Sequence, residues 1–108
     1  MRVFTLMTVA LFSSAAFAGG AETYAATCAS CHGAAGAGDG AAAAALPVKP
    51  ADFSAAAFWD SRDDATVFKA IKEGGPAVGK SPMMAPFGAS LNDAQITELV
   101  DYMKTLKK

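Results

Sequence analysis

Cys28-Ala29-Ser30-Cys31-His32 is the stretch of this chain that decides its fold. The two cysteines lie three residues apart, so within a helical turn both thiols lie on the same side of the backbone. Thiols at this spacing can form thioether bonds to the two vinyl groups of one porphyrin, and the adjacent imidazole can then reach the iron. C-x-x-C-H is the attachment signature of c-type haem. The stretch therefore predicts one covalently bound haem c, with His32 as the proximal iron ligand.

Three other roles for these residues leave part of the stretch unexplained. A redox C-x-x-C normally lies in a βαβ setting, and no such alternation of strand and helix patterns occurs here. A structural zinc site needs four ligands, whereas the chain has two cysteines and one histidine. A simple disulfide would leave the neighbouring histidine without a role.

The first 18 residues have the pattern of a secretory signal peptide. Arg2 supplies a positive charge, residues 3–12 are mostly apolar, and Ala16-Phe17-Ala18 has the small-x-small pattern of a cleavage site. The apolar run is shorter than the roughly 20 residues that span a bilayer, although an uncleaved anchor is the alternative. We expect cleavage after Ala18, a periplasmic location, and a mature domain over residues 19–108 that does not insert into a membrane.

The mature domain would be small and mildly acidic. Its 90 residues make a marginal protein core, which a large apolar haem would complete. Without Arg2 the chain has eight basic and ten acidic residues, a net charge of −2. Nucleic-acid binding calls for a basic surface, so no nucleic-acid partner is expected.

Apolar periodicity and capping residues predict helices and no strands. Helices are predicted over residues 21–31, 63–73 and 92–106, and Asn92 with Gln95 forms a capping-box pair at the start of the last one. Segments 33–61 and 74–88 are rich in Gly and Pro and are predicted to be irregular, apart from one helical turn at 41–45. The expected fold is all-α, with about three to five short helices wrapped around one covalently attached haem.

Three aromatic side chains lie in the irregular segment 33–61. We expect Phe53, Phe58 and Trp59 to pack on or beneath the porphyrin, or one of them to be exposed at a docking surface, because aromatic residues are enriched at interfaces.

The sixth iron ligand separates electron transfer from ligand binding. His32 is the only histidine in the chain, so a second histidine ligand from the same chain is excluded. Met83 and Met84 lie in a proline-flanked loop that can present a thioether to the iron. Met103 lies on the apolar stripe of the last helix, where a core role is usual. Lys80 is a weaker donor because its amine must first lose a proton.

The mature chain resembles the small class I c-type cytochromes of bacterial periplasms. The matching stretches are Gly20-x3-Tyr24-x3-Cys28-Ala-Ser-Cys31-His32-Gly33, Lys49-Pro50-Ala51-Asp52-Phe53, Met84-Ala-Pro-Phe87-Gly88-x2-Leu91, and the last helix with Tyr102-Met103. In that family the ligand methionine precedes a Phe-Gly pair by three residues and a leucine by seven, offsets that Met84 meets and Met83 does not. The resemblance therefore implies Met84 as the distal ligand, with Met83 as its packed neighbour.

The same resemblance implies two structural details. Gly20 and Tyr24 would contact the last helix near Tyr102, where the terminal helices cross. A backbone carbonyl would accept the second ring N–H of His32. Relatives often have Gly-Asp-Gly-Pro at that turn, but residues 38–41 of this chain read Gly-Asp-Gly-Ala, which leaves Pro47 as a later candidate position.

With His32 and Met84 as axial ligands, the expected function is periplasmic electron transfer, not catalysis. Single electrons would pass to redox partner proteins that dock transiently at the exposed haem edge of a monomer. One alternative is a haem-based ligand-binding or sensor module with a labile sixth ligand. Another is a haem subunit of a periplasmic oxidoreductase complex. A peroxidase-like role is not expected, because the mature chain has no distal histidine or arginine of the kind a peroxidase needs near bound oxygen, apart from the lone Arg62.

Overall fold

Five α-helices and two short 3-10 helices form the regular structure of residues 19–108, the part of the chain that the computed structural model describes. The α-helices are α1 (Gly20–Thr27), α2 (Ala29–His32), α3 (Ala56–Asp60), α4 (Asp64–Glu73) and α5 (Asp93–Lys104), and the 3-10 helices are Ala43–Ala45 and Gly75–Val78. No strand occurs in this range, so the predicted all-α fold is confirmed. The predicted signal peptide and its cleavage site lie outside the described residues. None of the described helices is long and apolar enough to cross a bilayer.

Helices α4 and α5 begin where their capping residues predict. The Asp63 carboxylate accepts a hydrogen bond of 2.8 Å from the Thr66 amide. At α5, the Asn92 side chain accepts from the Gln95 amide (2.8 Å) and the Gln95 side chain accepts from the Asn92 amide (2.9 Å), so the predicted capping box is present. Each pair satisfies amides that a helix start leaves without a helical partner.

The core lies where the apolar stripes of these two helices meet α1. Buried side chains from α4 and α5 are Val67, Ile71, Ile96, Leu99, Val100 and Met103. Exposed ion pairs between Lys72 and Asp93 (2.9 Å) and between Lys104 and Asp64 (3.0 Å) also link the two helices. Surface pairs of this kind contribute little, so apolar burial holds α4 against α5.

The terminal helices α1 and α5 cross in close contact. A Cβ on Gly20 would lie 2.8 Å from the Cβ of Tyr102 and would also meet the Glu98 carbonyl oxygen. Tyr24 is 1% exposed, and its ring centroid lies 5.4 Å from that of Tyr102. The expected contact of Gly20 and Tyr24 with the last helix is confirmed, and it requires a glycine at position 20.

The single helix predicted over residues 21–31 is instead two helices that meet at Cys28. Backbone bonds continue on both sides, from the Cys28 amide to the Tyr24 carbonyl (2.9 Å) and from the His32 amide to the Cys28 carbonyl (3.0 Å). Cys28 itself has φ −114°. The Thr27 hydroxyl donates to the Thr23 carbonyl at 2.6 Å, a back-bond that tends to bend helices.

Helix α3 was not predicted. Segment 33–61 was expected to be irregular apart from one turn, and that turn is present as Ala43–Ala45. A five-residue helix such as Ala56–Asp60 is too short to show a periodic stripe. Its Phe58 ring packs edge-on against Phe53 and its Trp59 ring packs tilted against it, at 5.0 and 6.3 Å between ring centroids, and this tertiary contact holds the helix in place.

Candidate functional site

A cleft of about 450 Å³ brings together the residues that the sequence singled out. Cys28, Cys31 and His32, from one stretch of the chain, line it together with Met83 and Met84 from another. Most of the remaining lining is apolar, including Leu46, Phe53, Phe58, Val67, Ile71, Val78, Phe87 and Met103. The cleft therefore combines two thiols, an imidazole and thioethers in apolar surroundings. Across the described residues no group of three or more His, Cys, Asp or Glu side chains could hold a metal ion by itself.

His32 is held by a backbone carbonyl behind it. Its Nδ1 lies 3.1 Å from the carbonyl oxygen of Ala51. Because a carbonyl only accepts, Nδ1 carries the proton and the lone pair of Nε2 is free to bind a metal. Burial lowers the pKa of His32, although the bond to Ala51 acts in the opposite direction. Burial outweighs the bond and so favours the neutral imidazole, while the bond to Ala51 selects the tautomer in which Nε2 can bind iron.

The carbonyl that holds His32 lies at neither of the positions considered from the sequence. It belongs to Ala51, directly after Pro50, and not to the 38–41 turn or to Pro47. Gly38 has φ +77° and approaches so closely that a Cβ there would lie 2.5 Å from the Pro50 carbonyl oxygen. The 38–41 turn therefore does not supply the carbonyl. Instead, the glycine at position 38 allows the segment that contains Ala51 to approach the turn closely.

Two further contacts fix the segment that carries Ala51. The Phe53 amide donates to the Gly36 carbonyl at 2.6 Å. The Asp52 carboxylate accepts from the Ser54 amide (2.9 Å) and hydroxyl (2.5 Å), and these bonds lower the pKa of Asp52. The backbone that directly follows the Ala51 carbonyl is therefore fixed by hydrogen bonds.

The three aromatic residues of this segment have different positions. Phe53 is 5% exposed and stacks on the His32 ring, with centroids 4.4 Å apart and planes 22° apart. Phe58 also lines the cleft. Trp59 lies outside the cleft lining, and its indole N–H donates to the Phe53 carbonyl at 2.8 Å. None of the three is an exposed side chain.

The two cysteines differ in burial. Cys28 is 7% exposed, with its sulfur 3.3 Å from the Thr27 hydroxyl, whereas Cys31 is half-buried. Burial raises the pKa of the Cys28 thiol, more than the Thr27 hydrogen bond lowers it. A raised pKa disfavours the thiolate that redox exchange requires. Cys28 is therefore poorly suited to be the attacking thiolate of thiol–disulfide exchange, and both cysteines line the cleft.

The two loop methionines also differ. Met84 is half-buried against the core, and its backbone bonds to Ser81 (3.2 Å) and Gly75 (2.9 Å). Two more bonds anchor the loop beyond it to the end of α4, from Phe87 to Ile71 (2.8 Å) and from Gly88 to Lys72 (3.0 Å). Met83 is 56% exposed. The expectation that Met83 packs beside Met84 is wrong, because the loop directs Met83 towards solvent.

The rim of the cleft has features that were not recognised from the sequence. The charged side chains that line it are Lys49, Arg62 and Lys80, and no carboxylate of the described residues joins them. The Arg62 guanidinium lies 4.2 Å above the Phe58 ring. Val48 and Met83, the exposed large hydrophobic side chains of the described chain, are 59% and 56% exposed and also line the cleft. Lys49 and Lys80 were visible in the sequence. That their two segments, residues 46–51 and 80–84, fold together to line one cleft was not.

The donor set and the shape of the cleft fit one covalently bound haem. Two thiols three residues apart match the attachment of haem c through thioether bonds, and an imidazole with Nε2 free and a half-buried thioether are the two iron ligands of His–Met sites. Met103, the other candidate thioether, is 3% exposed and belongs to the core. The largely apolar lining suits the porphyrin face, and the three cations suit carboxylates at its edge.

Comparison with known proteins points in the same direction. Residues 15–103 match the family described as Cytochrome C oxidase, cbb3-type, subunit III. Among solved structures the chain is similar to the KustC0563 c-type cytochrome, with 27% identity and a TM-score of 0.68 over 83% of this chain and 99% of that one. A chain of the Kuenenia stuttgartiensis reducing HAO-like protein complex Kustc0457/Kustc0458 shares the fold, with 23% identity and a TM-score of 0.65, over 82% of this chain and 41% of that one. No curated protein compared with the chain is significantly similar to it.

Proposed function

The chain belongs to the c-type cytochrome family described as Cytochrome C oxidase, cbb3-type, subunit III, and on this basis we propose that it is a periplasmic electron-transfer protein with one haem c. The observation that carries the proposal is the cleft in which Cys28, Cys31, His32 and Met84 meet. Cys28 and Cys31 would form the thioether bonds, His32 would be the proximal ligand and Met84 the distal one. When bound there, the haem supplies a one-electron iron couple.

The residues of the chain would keep both axial positions filled. The Ala51 carbonyl holds His32 in the tautomer that leaves Nε2 free. The bonds that flank Met84 hold its loop against the end of α4. Because both ligands come from the protein, little rearrangement accompanies a change of one electron. The apolar lining disfavours additional positive charge, which together with methionine ligation favours the reduced state.

Electrons would enter and leave at the rim of the cleft. Val48 and Met83 present apolar surface there, beside Lys49 and Lys80. Transient redox encounters use small interfaces, and a few exposed apolar side chains flanked by cations are sufficient for a partner with an acidic surface.

A second candidate function is that of a haem subunit in a larger periplasmic oxidoreductase. It is favoured by the description of the family as an oxidase subunit and by the exposure of Val48 and Met83. Size-exclusion chromatography of the native periplasmic extract distinguishes the two. Elution of the haem protein as a free chain supports a mobile carrier, whereas co-elution with a larger redox protein supports a subunit.

Absorption spectra of the exported protein test the proposed function. We expect a low-spin spectrum, a weak long-wavelength sulfur-to-ferric-iron band, and no change when carbon monoxide is added to the reduced protein. A high-spin spectrum that shifts at once with carbon monoxide would mean an open sixth position and would replace the carrier by a ligand-binding module. N-terminal sequencing of the periplasmic fraction tests the export route, with Gly19 expected as the first residue.

A further inference from the structure

We propose that Phe53 and Trp59 are positioning residues that set the rotational orientation of the His32 imidazole. The inference rests on the proposed function, because it assumes that His32 binds the haem iron. It goes further by assigning a role to Trp59, which lies outside the cleft.

The His32 ring is constrained at its edge and at its face. The bond of 3.1 Å from Nδ1 to the Ala51 carbonyl fixes one atom of the ring. That bond alone permits rotation, because carbonyls accept over a broad range of directions and the torsion that turns an imidazole is soft. Phe53 stacks on the ring at 4.4 Å with 22° between the planes. Rotation of the imidazole would drive it into the Phe53 ring, so the stack selects one orientation.

Phe53 can act in this way because it is itself held on all sides. Its ring is 5% exposed and meets the Tyr24 and Phe58 rings edge-on, at 6.4 and 5.0 Å. Its amide donates to Gly36 at 2.6 Å. These contacts leave the ring no alternative position within the core.

Trp59 completes the support from the other side. Its indole N–H donates to the Phe53 carbonyl at 2.8 Å, and its ring packs on both Phe53 and Phe58. The Phe53 backbone is thus bonded through both its amide and its carbonyl. A chain of contacts runs from the Trp59 indole through Phe53 to the plane of the iron ligand.

The orientation of an axial imidazole has consequences that can be measured. In the haem-loaded protein the π orbital of the His32 ring would overlap an iron d orbital, and the angle between the imidazole and the Met84 sulfur lone pair would set the splitting between the two d orbitals of that type. In ferric low-spin haem this splitting determines the g values of the electron paramagnetic resonance spectrum. Groups that orient a metal ligand also tune the metal, so the midpoint potential is expected to change as well.

The experiment compares the haem-loaded protein with Trp59→Phe, which keeps an aromatic ring and removes the N–H donor, and with Phe53→Leu, which removes the stack. We expect both variants to keep the sulfur-to-iron band while their g values shift or broaden beyond the wild-type linewidth and their midpoint potential moves, with the larger change in Phe53→Leu. Ile96→Val is the control, because Ile96 is fully buried in α5 and does not line the cleft. It should lower the melting temperature and leave the g values unchanged.

Unchanged g values and potential in Trp59→Phe would overturn the inference, even if the melting temperature fell. If Phe53→Leu does not fold, Trp59→Phe decides the question alone. The proposed function has its own readout, because a wild-type protein without the His–Met spectrum would contradict that function before any variant is compared.

Discussion

At the scale of single residues, the neighbouring methionines show how the fold selects between identical side chains. Met84 is half-buried and lies on backbone bonded to Gly75 and Ser81, whereas Met83 is 56% exposed. Ordering a flexible side chain costs free energy, so the half-buried side chain of Met84 would lose less freedom on binding iron than the exposed side chain of Met83.

Met84→Ala is expected to open the sixth position, so that carbon monoxide binds the reduced protein, while Met83→Ala leaves the spectrum unchanged. The reason is that the Met84 side chain is half-buried, whereas the Met83 side chain is largely exposed. Absorption spectra with and without carbon monoxide give the answer, and the two variants control for each other because each removes one methionine. The reverse pattern would assign ligation to Met83.

The sequence predicted the site residues that are close together in the chain. It did not predict the contribution of backbone that is distant in the chain. Cys28, Cys31 and His32 are adjacent in sequence, so their spacing is sufficient to predict that they share one cleft. The Ala51 carbonyl reaches His32 because Gly38 allows a close approach of backbone 12 residues further on. A contact of this kind leaves no local pattern in the sequence.

At the scale of helices, the crossing of α1 and α5 depends on the absence of one side chain. Gly20 allows the helices to approach until Tyr102 and the Glu98 carbonyl fill the space that a Cβ would need. Gly19, the preceding residue, has nothing within 4 Å of its Cβ position. The pair therefore offers a matched comparison.

Gly20→Ala is expected to destabilise the protein by about 1–2 kcal/mol, because separating the helices costs more than the roughly 1 kcal/mol of helix propensity that alanine contributes. Gly19→Ala should change stability by less than about 1 kcal/mol, since the new methyl group meets no atom. Urea unfolding of both variants measures the difference. Equal stabilities would contradict the close crossing.

The start of α4 predicts a pH dependence. The Asp63 carboxylate accepts from the Thr66 hydroxyl (2.6 Å) and amide (2.8 Å), and these bonds lower the pKa of Asp63. A carboxyl group with a lowered pKa in the folded state stabilises the protein above its unfolded pKa, and this contribution is lost as the pH falls through the folded value. The stability advantage of the wild type over Asp63→Asn should therefore be constant near neutral pH and shrink below about pH 4. Urea unfolding of the wild type and Asp63→Asn near neutral pH and below about pH 4 measures this advantage. An advantage that is the same under the two conditions would contradict the prediction.

The long helices with recognisable capping residues were predicted more accurately than the short ones. Stripes such as Ile96, Leu99, Val100 and Met103 repeat over several turns and begin at a recognisable cap, and α4 and α5 match the prediction within two residues at each end. Helix α3 has a single turn, and tertiary contacts such as its packing on Phe53 stabilise it. The helices α1 and α2 meet at Cys28, next to the hydrogen bond from the Thr27 hydroxyl to the Thr23 carbonyl. The spacing of apolar residues does not reveal a bond of this kind.

At the scale of the whole molecule, charge is distributed unevenly. Residues 19–108 carry a net charge of −2, yet the charged side chains that line the cleft are Lys49, Arg62 and Lys80. A cationic rim on an acidic molecule orients an approaching anionic surface towards the cleft, and such steering weakens with added salt.

Replacing both Lys49 and Lys80 with Glu is expected to slow reduction of ferricyanide, an anionic oxidant, roughly tenfold at low ionic strength. The difference should diminish as salt is added. The control replaces Lys69 and Lys107 with Glu, which gives the same net charge at exposed positions away from the cleft. Stopped-flow rates at several salt concentrations decide the matter, and equal slowing in both double variants would show that net charge, not the rim, governs the encounter.

The crossing of α1 and α5 also imposes an order on the assembly of the molecule. A protein is synthesised from its N-terminus, so Cys28, Cys31 and His32 exist well before Asp93–Lys104. Until that last helix is synthesised, Gly20 lacks its close contact with Glu98 and Tyr102, and the Tyr24 ring lacks the Tyr102 ring. The final helix therefore completes the packing of α1, the helix that directly precedes the Cys28–His32 stretch.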